Sequence, residues 1–122
     1  MPEQPTPVDV ATAFTEAWTS HDMTTAASWV AEDVEFEGPL TQAKGLAAYM
    51  EGLAQFAGAV TGLQILAAVG DDQRAMIMYE VSTGPFGTLR AAEHFVVSDG
   101  KITRDMLVFD THELRRARGA QA

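Results

Sequence analysis

The order of apolar and polar positions divides the chain into a helical first half and a stranded second half. Val10, Phe14, Ala17 and Trp18 recur at i, i+4, i+7 and i+8, the spacing of one face of a helix ending near Ser20. Thr6-Pro7-Val8-Asp9 supplies its start: a capping hydroxyl, proline at the first helical position, and an acid near the positive end of the helix dipole. Asp22 predicts the cap of a short second helix through about Ala31. Val34-Glu35-Phe36-Glu37 alternates with period two, a short strand ended by Gly38-Pro39. Leu46, Tyr49, Met50, Leu53 and Phe56 predict a third helix over about 43–57, stopped by Gly58.

From residue 60 the period changes. Runs at 60–69, 73–83, 88–97 and 101–110 are apolar or β-branched, separated by Gly70-Asp71-Asp72, Gly84-Pro85-Phe86-Gly87 and Ser98-Asp99-Gly100. Three N-terminal helices followed by an antiparallel meander indicate an α+β domain with helices covering one face of a curved sheet. The 122 residues show no internal repeat and no linker, so a single domain over 1–122 is expected, with loose tails at 1–6 and 113–122.

Which side chains meet depends on the turns, because a slip of one residue reverses every face. A three-residue Ser98-Asp99-Gly100 loop places Glu93 opposite Asp105, Phe95 opposite Thr103, Ala91 opposite Leu107 and Leu89 opposite Phe109. Arg90, His94, Arg104 and Met106 then share the other face. A two-residue Asp99-Gly100 turn instead sets His94 opposite Asp105 and Glu93 opposite Met106. A four-residue turn over Gly84–Gly87 pairs Thr83 with Thr88 and adds Met76, Met78 and Glu80 to the face of Glu93. The result is an apolar wall with acids in it.

Composition narrows the function. Lys+Arg number 8 against Asp+Glu 17, a formal charge of −9, so phosphate backbones and anionic membranes are repelled and neither nucleic acid nor membrane is an expected partner. No cationic segment followed by an apolar run opens the chain, and no apolar run reaches about 18 residues, so a cytoplasmic location is the expectation. Without cysteine there is no thiol chemistry, and His21, His94 and His112 are too scattered for a metal; no cofactor is expected. Glycine-rich phosphate loops and serine nucleophile elbows are absent.

Two carboxylates facing each other on an apolar wall cannot both ionise cheaply, so Glu93 and Asp105 are the candidate catalytic acid and base. At a hydrated rim, or beside an arginine, the same pair would carry no chemistry. Phe14, Trp18, Leu53, Phe56, Met78, Glu80, Phe95, Leu107 and Phe109 are the candidate lining of a substrate cavity; plain core is the competing reading, and the two overlap because such cavities are mostly apolar. Glu80 at a solvated rim, His94 and Arg104 at a dimer interface or open sheet face, and Glu37 pointing away from the cavity are the corresponding structural assignments.

"AFTEAWTSHDMTTAASWVAEDVEFEGPL", "GLAAYMEGLAQF" and "EHFVVSDGKITRDMLVFD" together resemble the SnoaL-like branch of the nuclear transport factor 2-like superfamily over about nine-tenths of the chain. The resemblance implies a cone-shaped, cystatin-like α+β fold, one apolar pocket for a small hydrophobic molecule, and a homodimer. It also implies activities such as steroid isomerisation, polyketide cyclisation and epoxide hydrolysis. By position, the isomerase's basic aspartate falls at Gly38, its oxyanion tyrosine at Phe14 and its protonated aspartate at Glu93, so one of three parts survives. The hydrolase's pocket aspartate falls at Leu107, and its middle-strand Arg and Asp have no clear counterparts near Met78 and Glu80. The expectation is therefore a cofactor-independent isomerase, cyclase or hydrolase built on Glu93 and Asp105, or a non-catalytic binding or assembly module of the same fold.

Overall fold

A computed structural model describes residues 5–112 and 114–116. The expected tails fall partly on residues 1–4, 113 and 117–122, outside the described residues. Helix α1 (Pro7–Thr19) opens with a reciprocal cap: Thr6 Oγ1 accepts from Asp9 N–H at 3.2 Å, and the Asp9 carboxylate accepts from Thr6 N–H at 3.3 Å. Its inward face, Val10, Ala11, Phe14, Ala17 and Trp18, is buried as the spacing requires. Asp22 caps α2 (Met23–Ser28) through Thr25 N–H at 3.1 Å.

Strand β1 (Val30–Glu37) begins before α2 was expected to end. The Trp29 carbonyl accepts from Ile102 N–H at 2.8 Å, so the neighbouring strand captures the chain where a further helical turn would have run. A three-residue strand β2 (Gln42–Lys44) then pairs with β1, and Gly45, at φ 90, starts α3 (Leu46–Ala57). Residues 43 and 44 therefore belong to the sheet, not to the helix, whose expected start at 43 moves to 46.

The meander follows as β3 (Val60–Gly70), β4 (Arg74–Thr83), β5 (Gly87–Ser98) and β6 (Lys101–Phe109). Strand order in the six-stranded sheet is β2-β1-β6-β5-β4-β3. All pairs are antiparallel except β1 with β6, so the sheet is mixed where an antiparallel one was expected. Register shifts in β1, β3 and the β5–β6 ribbon accompany its curvature. Helices α1 and α3 pack into one face, and between them and the sheet lie Phe14, Ile77, Phe95, Ile102 and Val34, all 1% exposed or less. A short helical turn follows β6, with Arg115 N–H donating to the Thr111 carbonyl at 2.9 Å; Leu114 packs against the core.

The first turn differs from expectation, and the second is the shorter of the two alternatives. The β4–β5 loop holds three residues, 84–86, closing on Thr83↔Gly87. Thr83 Oγ1 accepts from Phe86 N–H at 3.0 Å and donates to the Gly87 carbonyl at 2.7 Å, and glycine tolerates the φ of 70 found at Gly87. This one-residue change reverses β4: Ala75, Ile77, Tyr79, Val81 and Thr83 face inward, while Met76, Met78 and Glu80 face outward.

In the last hairpin Asp99 and Gly100 both have positive φ, 53 and 76, as in a two-residue type I′ turn, and Ser98 pairs with Lys101. Alone, that turn would have set Asp105 opposite His94. Thr103 is an extra residue between the pairs Val97↔Ile102 and Val96↔Arg104, and its hydroxyl donates to the Val96 carbonyl at 3.2 Å. Beyond this bulge Phe95 opposes Asp105, Glu93 opposes Leu107 and Ala91 opposes Phe109. Neither expected register holds, yet the bulge restores both acids to the inner face, diagonal rather than opposite.

Candidate functional site

Glu93 and Asp105 are buried, 4% and 1% exposed. Each is held by a tyrosine from a different element. Tyr49, one turn into α3, donates its hydroxyl proton to Asp105 Oδ2 at 2.5 Å; Tyr79 on β4 donates to Glu93 Oε1 at 2.7 Å. Tyr49 is fixed by aromatic neighbours, with Phe14 stacked at 6.1 Å and Phe36 edge-on at 5.5 Å between ring centroids. Tyr79 is fixed by Trp18, edge-on at 6.5 Å.

The two acids lie on the same inner face, Asp105 opposite Phe95 and Glu93 opposite Leu107, one diagonal step apart. Two carboxylates this close in a buried site cannot both ionise cheaply. Burial pushes both carboxyls above the ordinary carboxylate range, and the charge of Glu93 pushes Asp105 further in the same direction. Asp105 Oδ1 is buried with no hydrogen-bond partner among the described residues, a cost that an ionised carboxylate would feel most. Desolvation, followed by the nearby carboxylates, raises both tyrosines well above their usual range, so the phenols stay protonated and act as donors.

A cavity of about 480 Å³ opens over this tetrad, a size usual for small-molecule sites. Its inner walls are Trp18, Phe36, Tyr49, Phe56, Tyr79 and Leu107; Pro39, Thr41, Gln42 and Lys44 from the β1–β2 hairpin stand at the exposed mouth. Of the candidate lining residues, the structure brings Trp18, Leu53, Phe56, Leu107 and Phe109 to the cavity with Glu93 and Asp105. It does not bring four others. Phe14 and Phe95 are 0% exposed and meet edge-to-face at 6.0 Å in the core behind the site. Met78, 45% exposed, lies on the outer face of the sheet because of the shorter β4–β5 loop. Glu80 lies there too, accepting from Arg90 at 2.8 Å. Glu37, paired in register with Met106, shares the outer face, and Gly38 borders the cavity without a side chain.

Sequence reasoning missed Tyr79 and the role of Tyr49. Tyr49 stood on the apolar stripe of α3, where a buried hydroxyl needs a polar partner; that need was the available signal. Tyr79 was assigned outward by the wrong loop length. Among the described residues no group of three His, Cys, Asp or Glu is placed to hold a metal, and no helix is long and apolar enough to cross a membrane.

Residues 11–105 match the SnoaL-like domain, and the chain belongs to the SnoaL-like family. A crystal structure of a protein from Kribbella flavida DSM 17836 is 34% identical, covering 93% of this chain and 94% of that one, with a TM-score of 0.89. A nuclear transport factor 2-like protein from Cytophaga hutchinsonii is 20% identical, covering 94% of this chain and 99% of its own, with a TM-score of 0.79. An LEH-like epoxide hydrolase from M. tuberculosis is 22% identical over 99% of this chain and 96% of its own, with a TM-score of 0.77. The last two establish a shared fold. No curated protein matches the chain.

Proposed function

We propose that this protein binds a small, largely apolar molecule and moves a proton to or from it, with Glu93 and Asp105 as one acid–base unit. The observation that carries this reading is the pair itself: two buried carboxyls on one face of the sheet, each held by a tyrosine, at the floor of a cavity walled by aromatic rings. An isolated buried carboxyl would simply stay neutral. Two buried near each other cannot both ionise cheaply, so one member keeps a proton to give and the other is free to take one. Isomerisation by enolisation, aldol-type cyclisation and water addition to an epoxide all need such an acid and base and nothing else. Tyr49 and Tyr79 position the two groups and stabilise whichever carries charge.

Turnover of a cyclic epoxide and of a β,γ-unsaturated cyclic ketone tests the reading. Activity on either should fall by about 100-fold or more in Glu93→Gln and Asp105→Asn, within the range of general acid–base catalysis. Full activity in both folded variants would overturn it. The alternative, a binding module without chemistry, draws on the fact that both carboxyls already have a phenol partner; it predicts ligand binding with no turnover.

The outer sheet face supports self-association into a homodimer. The register aligns Val69, Met76, His94 and Met106 in one row, and Ala67, Met78, Ala92 and Val108 in the next. Val69, Met76, Met78, Met106 and Val108 are 41–64% exposed and account for all but one of the exposed large apolar residues among those described. Glu80 and Arg90 flank the patch on one side, Glu35, Lys44 and Arg104 on the other. Because each rim carries both signs, a second copy related by a twofold axis can meet this patch without opposing like charges in a chain that is otherwise strongly acidic.

A further inference from the structure

Helix α3 carries a glycine in its interior, at position 52, where glycine is the least stabilising residue after proline. The fold does not ask for it. Gly45, Gly87 and Gly100 have positive φ, and a side chain at Gly70 would strike the Arg74 backbone at 2.5 Å and Val8 at 2.6 Å. Gly52 is helical, and a Cβ added to it meets nothing within 4 Å.

The open space beside Gly52 belongs to the cavity. Gly52 is part of its lining, with Ala48 one turn earlier and Tyr49, Leu53 and Phe56 on the same helix. Tyr49 is buried, Leu53 and Phe56 are half-buried, and Ala48 and Gly52 are exposed, so α3 gives the cavity a deep wall of large side chains and a rim of small ones. Four residues of helix rise about 6 Å, so this rim leaves a length of helix about as broad as a six-membered ring with nothing larger than a methyl group above it. A longer side chain at 52 would lean toward the helix N-terminus, over Ala48, and cover it. The floor points to a ligand independently: Asp105, 1% exposed, lines it with an oxygen, Oδ1, that has no hydrogen-bond partner among the described residues.

We propose that Gly52 sets the breadth of the molecule the cavity admits: the apolar body of the ligand lies flat across the α3 backbone at Gly52 and Ala48, and a larger side chain at 52 excludes it. The helix stability given up at this position is then accounted for by the surface it leaves uncovered. The proposal rests on the reading above that the cavity holds a small, largely apolar molecule.

Calorimetric titration with cyclohexanone, a single ring, and 1-tetralone, two fused rings, tests it on the wild type, on Gly52→Leu and on Ala54→Leu. Ala54 is exposed on the same helix and outside the cavity lining, so its variant is the control. 1-Tetralone should bind Gly52→Leu at least about tenfold more weakly than the wild type, the scale of a misfit in an apolar pocket. Cyclohexanone binding, and 1-tetralone binding to Ala54→Leu, should change by less than about twofold, as for a neutral surface substitution. Gly52→Leu should melt at or above the wild-type temperature, because a better helix former enters an open position. Equal affinity of the wild type and Gly52→Leu for 1-tetralone, an equal loss in Ala54→Leu, or a lowered melting temperature in Gly52→Leu overturns the proposal and leaves the cavity as a ligand site. Failure of the wild type to bind either ketone overturns the ligand site itself, and this inference with it.

Discussion

The hydroxyl of Tyr79 reaches the Glu93 carboxylate at 2.7 Å, although the residue paired with Glu93 across the β4–β5 ladder is Ile77. The contact is diagonal, one same-face step along β4, and it exists only because the β4–β5 loop is three residues long. Removing it should be costly. Tyr79→Phe and Tyr49→Phe each leave a buried carboxyl short of a donor, and each should lose about 1–3 kcal/mol in urea denaturation. Unchanged stability in both would mean that the phenols do not hold the acids.

The carboxyl pair should make stability depend on pH in the opposite sense to ordinary surface acids. Burial raises Glu93 and Asp105 above their ordinary values of 4.5 and 3.8, so the folded protein keeps a proton that the unfolded chain releases. The contribution is complete below those ordinary values and is lost as pH rises toward the folded-state pKa, with a slope of about 1.4 kcal/mol per pH unit for one proton. Surface acids such as Asp22 and Asp71, lowered by hydrogen bonds from backbone N–H groups and, for Asp22, first by its side-chain bond to Thr25, act on the acid side. Melting temperature measured against pH should therefore decline above about pH 4 more steeply in the wild type than in Asp105→Asn. Parallel curves would contradict the shared proton.

Thr103 keeps Asp105 inward only by standing outside the ladder. Deleting it removes the extra residue and leaves Val97 opposite Ile102, Val96 opposite Arg104 and Phe95 opposite Asp105, so the ribbon becomes regular while Asp105 stays on the inner face. The deletion should therefore leave a folded protein with both acids still buried. Loss of folding in denaturant titration would show that the bulge itself, and not only the register beyond it, is required. Gly100→Val tests the turn itself: at φ 76 a β-branched side chain should cost about 1–2 kcal/mol.

Charge placed on the outer face should separate the copies. Met78→Glu and Val108→Glu introduce acids into the apolar rows, and light scattering should show a dimer in the wild type and a monomer in either variant. A wild-type monomer at micromolar concentration would remove the basis for self-association.

Much of this was legible in the chain. Period 3.6 marked α1 and α3, period two marked the meander, and the inward face was read correctly for β5 from Leu89 to Val97 and for β6 from Asp105 to Phe109, both acids included, but not near the turn, where Ile102 rather than Lys101 and Thr103 is buried. What escaped lies where one residue changes parity. The loop at 84–86 reversed β4, sending Met78 and Glu80 outward and hiding Tyr79. Turn and bulge in the last ribbon were each plausible alone, but only their combination gives the diagonal pair. Strand β2 has too few residues to show a period, and its last two positions, 43 and 44, were absorbed into the helix that follows. Tyr49 and Asp105 are 56 residues apart, and no local pattern links them.

The account depends most on a single proton held between Glu93 and Asp105 at neutral pH, and infrared spectroscopy reads it directly. Difference spectra of wild type against Asp105→Asn and Glu93→Gln should show the carbonyl stretch of a protonated carboxylic acid at pH 7 in the wild type, lost or shifted in each variant and bleached only as the pH is raised further. A wild-type spectrum with carboxylate bands alone at pH 7, identical to the variants in the carbonyl region, would contradict it.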